Sequence, residues 1–230
     1  MVNPVSHERA SKSRVAILIS GRGSNMAALI KAAGAKDFPA DIAVVISNRA
    51  EAGGLALAEA GGIPTVTIES KPFGKDRAAF EAKLQSALED HQIGLICLGG
   101  FMRLFTAEFV RAWHGRMLNI HPSLLPSFPG LDPHAQALHA GVKVSGATVH
   151  FVTPETDAGP IVMQGVVEVC DDDTPDTLST RILDIEHQIY PQALRLLASG
   201  KLRLDGDKCR LVSEADVRGT LISPQLASEA

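Results

Sequence analysis

Continuous apolar runs, bounded by glycine, proline or polar residues, recur along the first half of the chain. A run without polar alternation is typical of a strand buried on both faces of a sheet. Between the runs, apolar residues recur at steps of three and four, which predicts helices. The predicted strands are Arg14–Ser20, Ala40–Asn48, Pro64–Glu69, Gly94–Gly100 and Met117–His121. Four helices are predicted. The first runs from Asn25 or Met26 to Ala33, and the second covers Leu55–Ala60. The third has Phe80, Leu84 and Leu88 on one face, and the fourth runs from Thr106 to His114.

The pattern changes after Pro122. Three prolines within Pro122–Gly130 exclude regular structure there. The remaining elements are a short helix near His134–His139, strands Gly146–Val152 and Ile161–Val169 in an antiparallel hairpin, a long helix from Pro175 kinked at Pro191, and a hairpin within Lys201–Val212. The alternation predicts an α/β fold, with a mostly parallel twisted sheet, helices on both faces, and a C-terminal antiparallel hairpin and long helix.

Length and composition limit the class of protein. We expect residues 14–212 to form one domain, with a disordered extension over 1–13 and a loose tail over 213–230. The chain is 45% hydrophobic and 21% charged, as in ordinary globular proteins. Its net charge of −4 lacks the basic surplus of a nucleic-acid binder. No apolar run reaches the ~18 residues of a membrane helix. Three scattered cysteines favour a reducing, cytoplasmic setting.

The turn Gly21–Asn25 lies between the first strand and the first helix. Glycines let a backbone approach a ligand closely, and helix-start N–H groups attract anions. The turn therefore predicts a phosphate site, although a tight turn with an asparagine cap would carry the same residues. It lacks the endings of the P-loop and of the G-x-G-x-x-G dinucleotide motif, which disfavours ATP and NAD.

The segment Asn119-Ile120-His121 ends the fifth strand. Residues two apart in a strand point to the same face, so the amide and the imidazole emerge together. The carboxyl edge of a parallel sheet is where such folds place their sites. An amide donor can hold an oxyanion, and an imidazole can move a proton near neutral pH. The alternative is a strand-end pair that only bonds to loop backbone.

Three further features have both a functional and a structural interpretation, and His150 has a structural one. Asp157 lies in a Gly/Pro turn and is either solvated or, if the hairpin returns beside the fifth strand, a partner for His121. Glu186 flanks the apolar stripe of the long helix or faces a site. The apolar loop Phe101–Phe105 either binds a flat aromatic ligand or packs into the core. His150, in mid-strand, fits a satisfied structural histidine best.

Five segments together resemble the folate-dependent formyltransferase family, in its phosphoribosylglycinamide formyltransferase (GAR transformylase) branch. The resemblance extends from Arg14 to Leu204. In chain order the segments read I-L-I-S-G-R-G-S-N, L-G-G-F-M-R-L, M-L-N-I-H-P-S-L-L-P-S-F-P-G, G-A-T-V-H-F-V-T-P-E-T-D-A-G-P and I-E-H-Q-I-Y-P. Where family members often have an H-x-H motif after P-G, this chain has Leu131-Asp132-Pro133-His134.

The resemblance implies a Rossmann-like formyltransferase fold and the transfer of a formyl group from 10-formyltetrahydrofolate to glycinamide ribonucleotide in purine synthesis. It implies no metal and leaves a monomer or a homodimer open. Asn119, His121 and Asp157 would be the catalytic triad. Gly23, Ser24 and Asn25 would bind the substrate phosphate, and Glu186 would contact the same substrate. The implied folate positions are Arg77, Met102, Arg103, Leu104, Phe105, Asn119, Thr153, Pro154, Glu155, Thr156 and Asp157.

Two other functions fit parts of the pattern. A formyltetrahydrofolate hydrolase shares the catalytic core, but usually carries an N-terminal regulatory domain, whereas thirteen residues precede the first strand here. A non-catalytic phosphate or nucleotide sensor would use Gly21–Asn25 and have no need of Asn119, His121 and Asp157. A tRNA formyltransferase would need a further C-terminal domain and a basic surface.

Overall fold

The computed structural model describes residues 12–212, in which a seven-stranded sheet is flanked by helices. The strands are β1 (Ser13–Ile19), β2 (Ala40–Ser47), β3 (Thr65–Thr67), β4 (Leu95–Leu98), β5 (Met117–His121), β6 (Val144–Phe151), β7 (Ile161–Glu168), β8 (Leu202–Asp205) and β9 (Lys208–Leu211). The helices are α1 (Ser24–Ala33), α2 (Gly54–Ala60), α3 (Arg77–Asp90), α4 (Ala107–Ala112), α5 (Pro133–Ala140) and α6 (Pro175–Ala198), with a short 3₁₀ helix over Lys71–Phe73.

The strand order across the sheet is β3-β2-β1-β4-β5-β6-β7. The first five strands of that order are parallel, whereas β6 runs antiparallel to both β5 and β7. Strands β8 and β9 form a separate antiparallel hairpin. The predicted mostly parallel α/β sheet, the hairpin that returns beside the fifth strand and the C-terminal hairpin are thus confirmed.

Two apolar layers cover the two faces of the sheet. The residues of β1 alternate between the two layers. Val15, Ile17 and Ile19 pack in one layer, together with side chains from α1, α5 and α6. Ala16 and Leu18 face the other layer, which contains side chains from α3 and α4. All five residues are fully buried. The continuous apolar run therefore marks a strand covered on both sides, as predicted.

The element boundaries differ from the predicted ones mostly at the ends. Strand β3 is three residues long, whereas six were predicted, and β6 begins two residues early, at Val144. Helix α6 continues through Pro191 to Ala198. Strand β1 begins at Ser13, inside the expected extension, whose residues 1–11 lie outside the described part of the chain, as does the expected tail over 213–230. Among residues 12–212, no helix has both the length and the apolarity to cross a membrane.

Candidate active site

The carboxyl ends of β1, β4 and β5 lie side by side at one edge of the sheet. Leu98 of β4 is level with Leu18 of β1 on one side and with Asn119 of β5 on the other. The chain order reverses between β1 and β4, since β2 and β3 extend the sheet in the opposite direction. Open α/β sheets bind their ligands at such a switch point. The glycine-rich turn and Asn119 therefore border the same crevice.

The turn after β1 is built by backbone contacts. Gly23, with φ of 76°, precedes α1, and no side chain caps the helix, so asparagine capping is excluded as the reason for this sequence. A Cβ atom on Gly23 would lie 3.0 Å from Cα of Gly54. The N–H group of Gly54 donates to the carbonyl of Gly21 at 3.0 Å. The close approach of two backbones explains both glycines, and it leaves the first N–H groups of α1, at Ser24 and Asn25, for an anion.

Asn25 and Glu186 form a buried pair beside this turn. Asn25 Nδ2 donates to Glu186 Oε2 at 2.7 Å, and both residues are less than 10% exposed. Burial raises the pKa of Glu186, and the hydrogen bond from Asn25 opposes part of that change. The resulting pKa is about 7. Asn25 Oδ1 is buried with no hydrogen-bond partner. Of the two interpretations of Glu186, the solvated flank is therefore wrong.

Asp157 reaches the end of β5 from the loop between β6 and β7. Its Oδ2 atom lies 3.5 Å from Nδ1 of His121 and accepts a hydrogen bond from the N–H group of Gly130 at 2.9 Å. Its side chain is only 9% exposed. Gly159 fixes the path of the loop, because a Cβ atom there would lie 1.7 Å from the carbonyl oxygen of Phe151. The solvated-turn interpretation of Asp157 is thus wrong.

Asn119, His121 and Asp157 meet as predicted, and a fourth side chain joins them. His121 Nε2 lies 3.0 Å from the carbonyl oxygen of Phe128, which can only accept, so Nε2 carries the proton. Asn119 Nδ2 lies 3.2 Å from Nε2 of His150, and the latter atom lies 3.8 Å from Asp157 Oδ1. The two histidines, the amide and the carboxylate form one cluster at the edge of the sheet.

A cavity of about 720 Å³ gathers several of the predicted folate positions. Arg77, at the start of α3, faces Met102, Arg103 and Leu104 from the loop after β4. Met102 and Leu104 are 75% and 57% exposed, which is unusual for large apolar side chains. The rest of the lining comes from Gly74, Lys75, Asp76, Ala78 and Thr106.

The loop after β4 packs partly into the core and partly leaves apolar side chains exposed. Phe105 stacks between Phe101 and Phe109 at centroid distances of 5.4 and 4.9 Å, so this part packs against the core. Arg103 lies over the Phe80 ring and donates to the carbonyls of Gly74 and Asp76. The loop therefore presents two apolar side chains outward and anchors itself with the others.

Thr153, Pro154, Glu155 and Thr156 form the turn that leads to Asp157. Thr153 Oγ1 donates to the carbonyl of Glu155 at 3.1 Å, which closes the turn locally. Pro154, Glu155 and Thr156 are exposed. None of the four lines the cavity around Arg77, so the structure does not bring these predicted folate positions to that cavity.

Sequence reasoning missed the backbone groups of the site. The Phe128 carbonyl and the Gly130 N–H group lie in the proline-rich segment, where no periodicity gives a signal. Gly54 was also missed, although the pair Gly53-Gly54 at a helix start is a possible mark of close backbone approach. Asp76, the side-chain cap of α3, precedes Arg77 and could have located that cavity wall.

The side chains of the cluster are of the types that can transfer protons and stabilise an oxyanion. Cys97 lies in the centre of β4, where burial raises the pKa of its thiol to about 12, so it remains a thiol at neutral pH. Within residues 12–212, no three His, Cys, Asp or Glu side chains are grouped so that they could hold a metal ion. The available groups are an amide, two imidazoles and a carboxylate, near a helix start that no side chain caps.

The fold and this cluster define the class of protein as a Rossmann-like transferase. The chain belongs to the formyl transferase family, whose sequence profile matches residues 13–194. The predicted α/β fold and the resemblance to formyltransferases are both confirmed.

The relatives with known names divide into two kinds. The phosphoribosylglycinamide formyltransferase of Escherichia coli (strain K12) is 40% identical over 83% of this chain and 89% of its own length. The trifunctional purine biosynthetic protein adenosine-3 of Homo sapiens is 49% identical over 89% of this chain. This chain spans only 20% of the length of the human protein.

Solved structures show the same fold. A glycinamide ribonucleotide transformylase from Symbiobacterium toebii has a TM-score of 0.86 and 43% identity, covering 89% of this chain and 96% of its own. A formyltetrahydrofolate deformylase from Pseudomonas syringae has a TM-score of 0.82 and 30% identity, covering 89% of this chain but 67% of its own. The neighbours thus include a transferase and a hydrolase built on one core.

Proposed function

We propose that this protein transfers the formyl group of 10-formyltetrahydrofolate to the amine of glycinamide ribonucleotide, which gives formylglycinamide ribonucleotide for purine biosynthesis. The observation that carries the proposal is the meeting of Asn119, His121 and Asp157 at the edge of the sheet that also holds the glycine-rich turn. The phosphoribosylglycinamide formyltransferase of Escherichia coli supports the same reaction, because the match with this chain covers 89% of that protein's length.

The glycine-rich turn is suited to the phosphate of the ribonucleotide. The N–H groups of Ser24 and Asn25 lie at a helix start without a side-chain cap, where a phosphate is stabilised by hydrogen bonds and by the helix dipole. The carboxyl group of Glu186, held by Asn25, gives the same substrate a hydrogen-bonding partner. The substrate would then extend from the turn toward Asn119.

The folate is assigned to the wall formed by the loop after β4 and the start of α3. The exposed side chains of Met102 and Leu104 offer an apolar surface for a flat ring system. Arg77 supplies a cation beside it, which suits the carboxylates of a folate. Binding both substrates at one edge converts a bimolecular reaction into an effectively intramolecular one.

In the transfer step, the amine nitrogen of the ribonucleotide bonds to the formyl carbon, and the carbonyl oxygen takes up negative charge. Asn119 Nδ2 and an N–H group of His121 donate hydrogen bonds to that oxygen. The bond between carbon and N10 then breaks, and one proton passes from the attacking amine to N10. Asp157, whose Oδ2 atom lies 3.5 Å from Nδ1 of His121, orients the imidazole and helps to move that proton.

The hydrogen bond from His121 to the carbonyl of Phe128 limits how His121 can donate to the oxyanion. Because Nε2 donates to that carbonyl at 3.0 Å, the oxyanion has to share the N–H group or displace the carbonyl. Hydrogen bonds in a site without its substrate often tighten only in the reacting complex.

The proposed function is tested by following the formyl group. The protein is mixed with 10-formyltetrahydrofolate, with and without glycinamide ribonucleotide, and tetrahydrofolate and formylated amine are both measured. We expect release of tetrahydrofolate only when the amine is present, with one formylated product per folate consumed. Release without the amine would establish the deformylase reaction of the Pseudomonas syringae neighbour instead. Binding of the ribonucleotide with no release would identify a sensor.

A further inference from the structure

His150 is a histidine of the site with no role so far. It lies in β6, directly opposite Asn119 of β5, and is 2% exposed. The pairing of β6 with β7 slips by one residue between Val149 and His150. Such irregularities near a site re-aim individual side chains.

The hydrogen bonds of His150 determine its tautomer. Nδ1 lies 2.9 Å from the carbonyl oxygen of Phe151, which can only accept, so Nδ1 carries the proton. Nε2 of the neutral ring is then a lone-pair acceptor, and it lies 3.2 Å from Asn119 Nδ2. Burial lowers the pKa of His150, which keeps the ring neutral and the acceptor available.

We propose that His150 is a positioning residue that fixes the side-chain amide of Asn119. An asparagine amide can rotate by 180°, which exchanges its donor and acceptor ends. The acceptor at His150 Nε2 selects the orientation in which Nδ2 faces β6, with its second N–H group left for the reacting oxygen. In the other orientation, Oδ1 of Asn119 would face the lone pair of His150 Nε2, and both N–H groups would point away from β6.

His150 also keeps its distance from the carboxylate of the triad. Its Nε2 atom lies 3.8 Å from Asp157 Oδ1, whereas Asp157 Oδ2 approaches His121 Nδ1 more closely, at 3.5 Å. A neutral His150 with an unprotonated Nε2 cannot compete for that carboxylate. Asp157 therefore remains the partner of His121.

Two substitutions separate the two hydrogen bonds of His150. In His150→Gln, the side-chain oxygen takes the place of Nε2 and can accept from Asn119, while the bond to Phe151 is lost. In His150→Asn, the side-chain nitrogen takes the place of Nδ1 and keeps the bond to Phe151, while the acceptor for Asn119 is lost. A purely structural role in anchoring the strand predicts that Asn is tolerated better than Gln. The positioning role predicts the reverse.

The kinetic part of the test rests on the proposed function. We expect His150→Asn to lower kcat about 10-fold with little change in either KM, since one oxyanion donor is misaligned and not removed, and His150→Gln to stay within about 3-fold of the wild type. In an Asn119→Ala background, His150→Asn should lower kcat by less than about 2-fold, because the residue through which it acts is gone. An equal loss in both backgrounds, or a lower kcat for Gln than for Asn, would overturn the proposal.

A spectroscopic measurement keeps the proposal separate from the proposed reaction. Long-range ¹H–¹⁵N spectra of the imidazole rings report which nitrogen is protonated, and His150→Gln identifies the His150 signals. We expect a protonated Nδ1 and an unprotonated Nε2 in the wild type. Protonation at Nε2 would refute the positioning role, because Asn119 Nδ2 could not then donate to it. If the tautomer is as expected but no formyl group is transferred, the proposed function fails alone. Melting temperatures of all variants show whether each one folds.

Discussion

The glycine-rich turn and the catalytic cluster border one crevice, yet they are constructed differently. At the turn, backbone atoms make the contacts, and Gly23 and Gly54 approach so closely that a single Cβ atom would lie 3.0 Å from the opposite Cα. At the cluster, side chains of β5, β6 and the loop before β7 make the contacts. The turn is therefore sensitive to added volume, and the cluster is sensitive to lost functional groups.

This difference determines which kinetic constant each region controls. The turn would bind a phosphate that keeps its charge throughout the reaction, so changes there should act on KM. The cluster would stabilise charge that develops only in the transition state, so changes there should act on kcat.

The largest effect is expected from removing one member of the triad. Asp157→Ala and Asn119→Ala should each lower kcat by about 10²–10³-fold, with KM for glycinamide ribonucleotide nearly unchanged, as is typical of lost oxyanion or proton-transfer groups. Steady-state kinetics with both substrates measure this. Asp171→Ala is the control, because Asp171 is an exposed carboxylate paired with Lys143 at 2.9 Å. Activity within a few-fold of the wild type in both triad variants would show that the cluster does not carry the chemistry.

The next effect is expected at the turn. Gly23→Ala would force a Cβ atom against Gly54 and against Met26 Cε, 3.1 Å away, so we expect KM for the ribonucleotide to rise about 10–100-fold through the loss of 1–3 kcal/mol that overpacking costs. Gly62→Ala is a matched control. Gly62 has φ of 73°, close to that of Gly23, but a Cβ atom there would meet nothing within 4 Å. An equal KM in the two variants would mean that the close approach of Gly23 and Gly54 does not shape the binding site.

The contrast also explains what the sequence could predict. Strand β5 was predicted with both ends correct, and with it the common face of Asn119 and His121, because a two-residue period is a local property. Asp157 could be assigned to the cluster only through the further assumption that the hairpin returns beside β5, which the pairing of β5 with β6 confirms.

Residues that act through backbone atoms or tautomers could not be predicted. The carbonyl of Phe128 and the N–H group of Gly130 leave no mark in the sequence, because every residue type has a backbone carbonyl and every type except proline has a backbone N–H group. The alternative interpretation of the turn, an asparagine cap, is wrong because Gly23 is the N-cap and Glu186, 161 positions away, holds the Asn25 side chain. Long-range partners of this kind depend on how α6 packs on α1, which no local pattern specifies.

Glu186 should make the stability of the turn region dependent on pH. Burial raises the pKa of Glu186 from 4.5 to about 7, so the folded protein holds a proton that the unfolded chain loses above pH 4.5. Stability is therefore lost as the pH rises from 4.5 through 7, by roughly 3 kcal/mol if the whole shift is realised. In Glu186→Gln this loss should be absent. Urea unfolding at pH 5 and pH 8 measures it in both proteins, and an equal pH dependence would mean that Glu186 is ionised in the folded state throughout.

The smallest effect is expected away from the site, at the start of α6, where Asp173 pairs with Arg181 and accepts from Thr177 Oγ1 at 2.7 Å. The hydrogen bond from Arg181 lowers the pKa of Asp173 to about 2, so its contribution is present above pH 3.8 and is lost as the pH falls toward 2. Because the Arg181 side chain is 38% exposed, solvent weakens the pair, and Asp173→Asn should cost about 1 kcal/mol or less at pH 7. Urea unfolding should show this difference shrinking between pH 7 and pH 3, while kcat and both KM values stay at the wild-type level. A change in kcat would contradict this prediction. It would mean that the start of α6, which contacts neither proposed substrate site, influences the cluster of Asn119, His121 and Asp157.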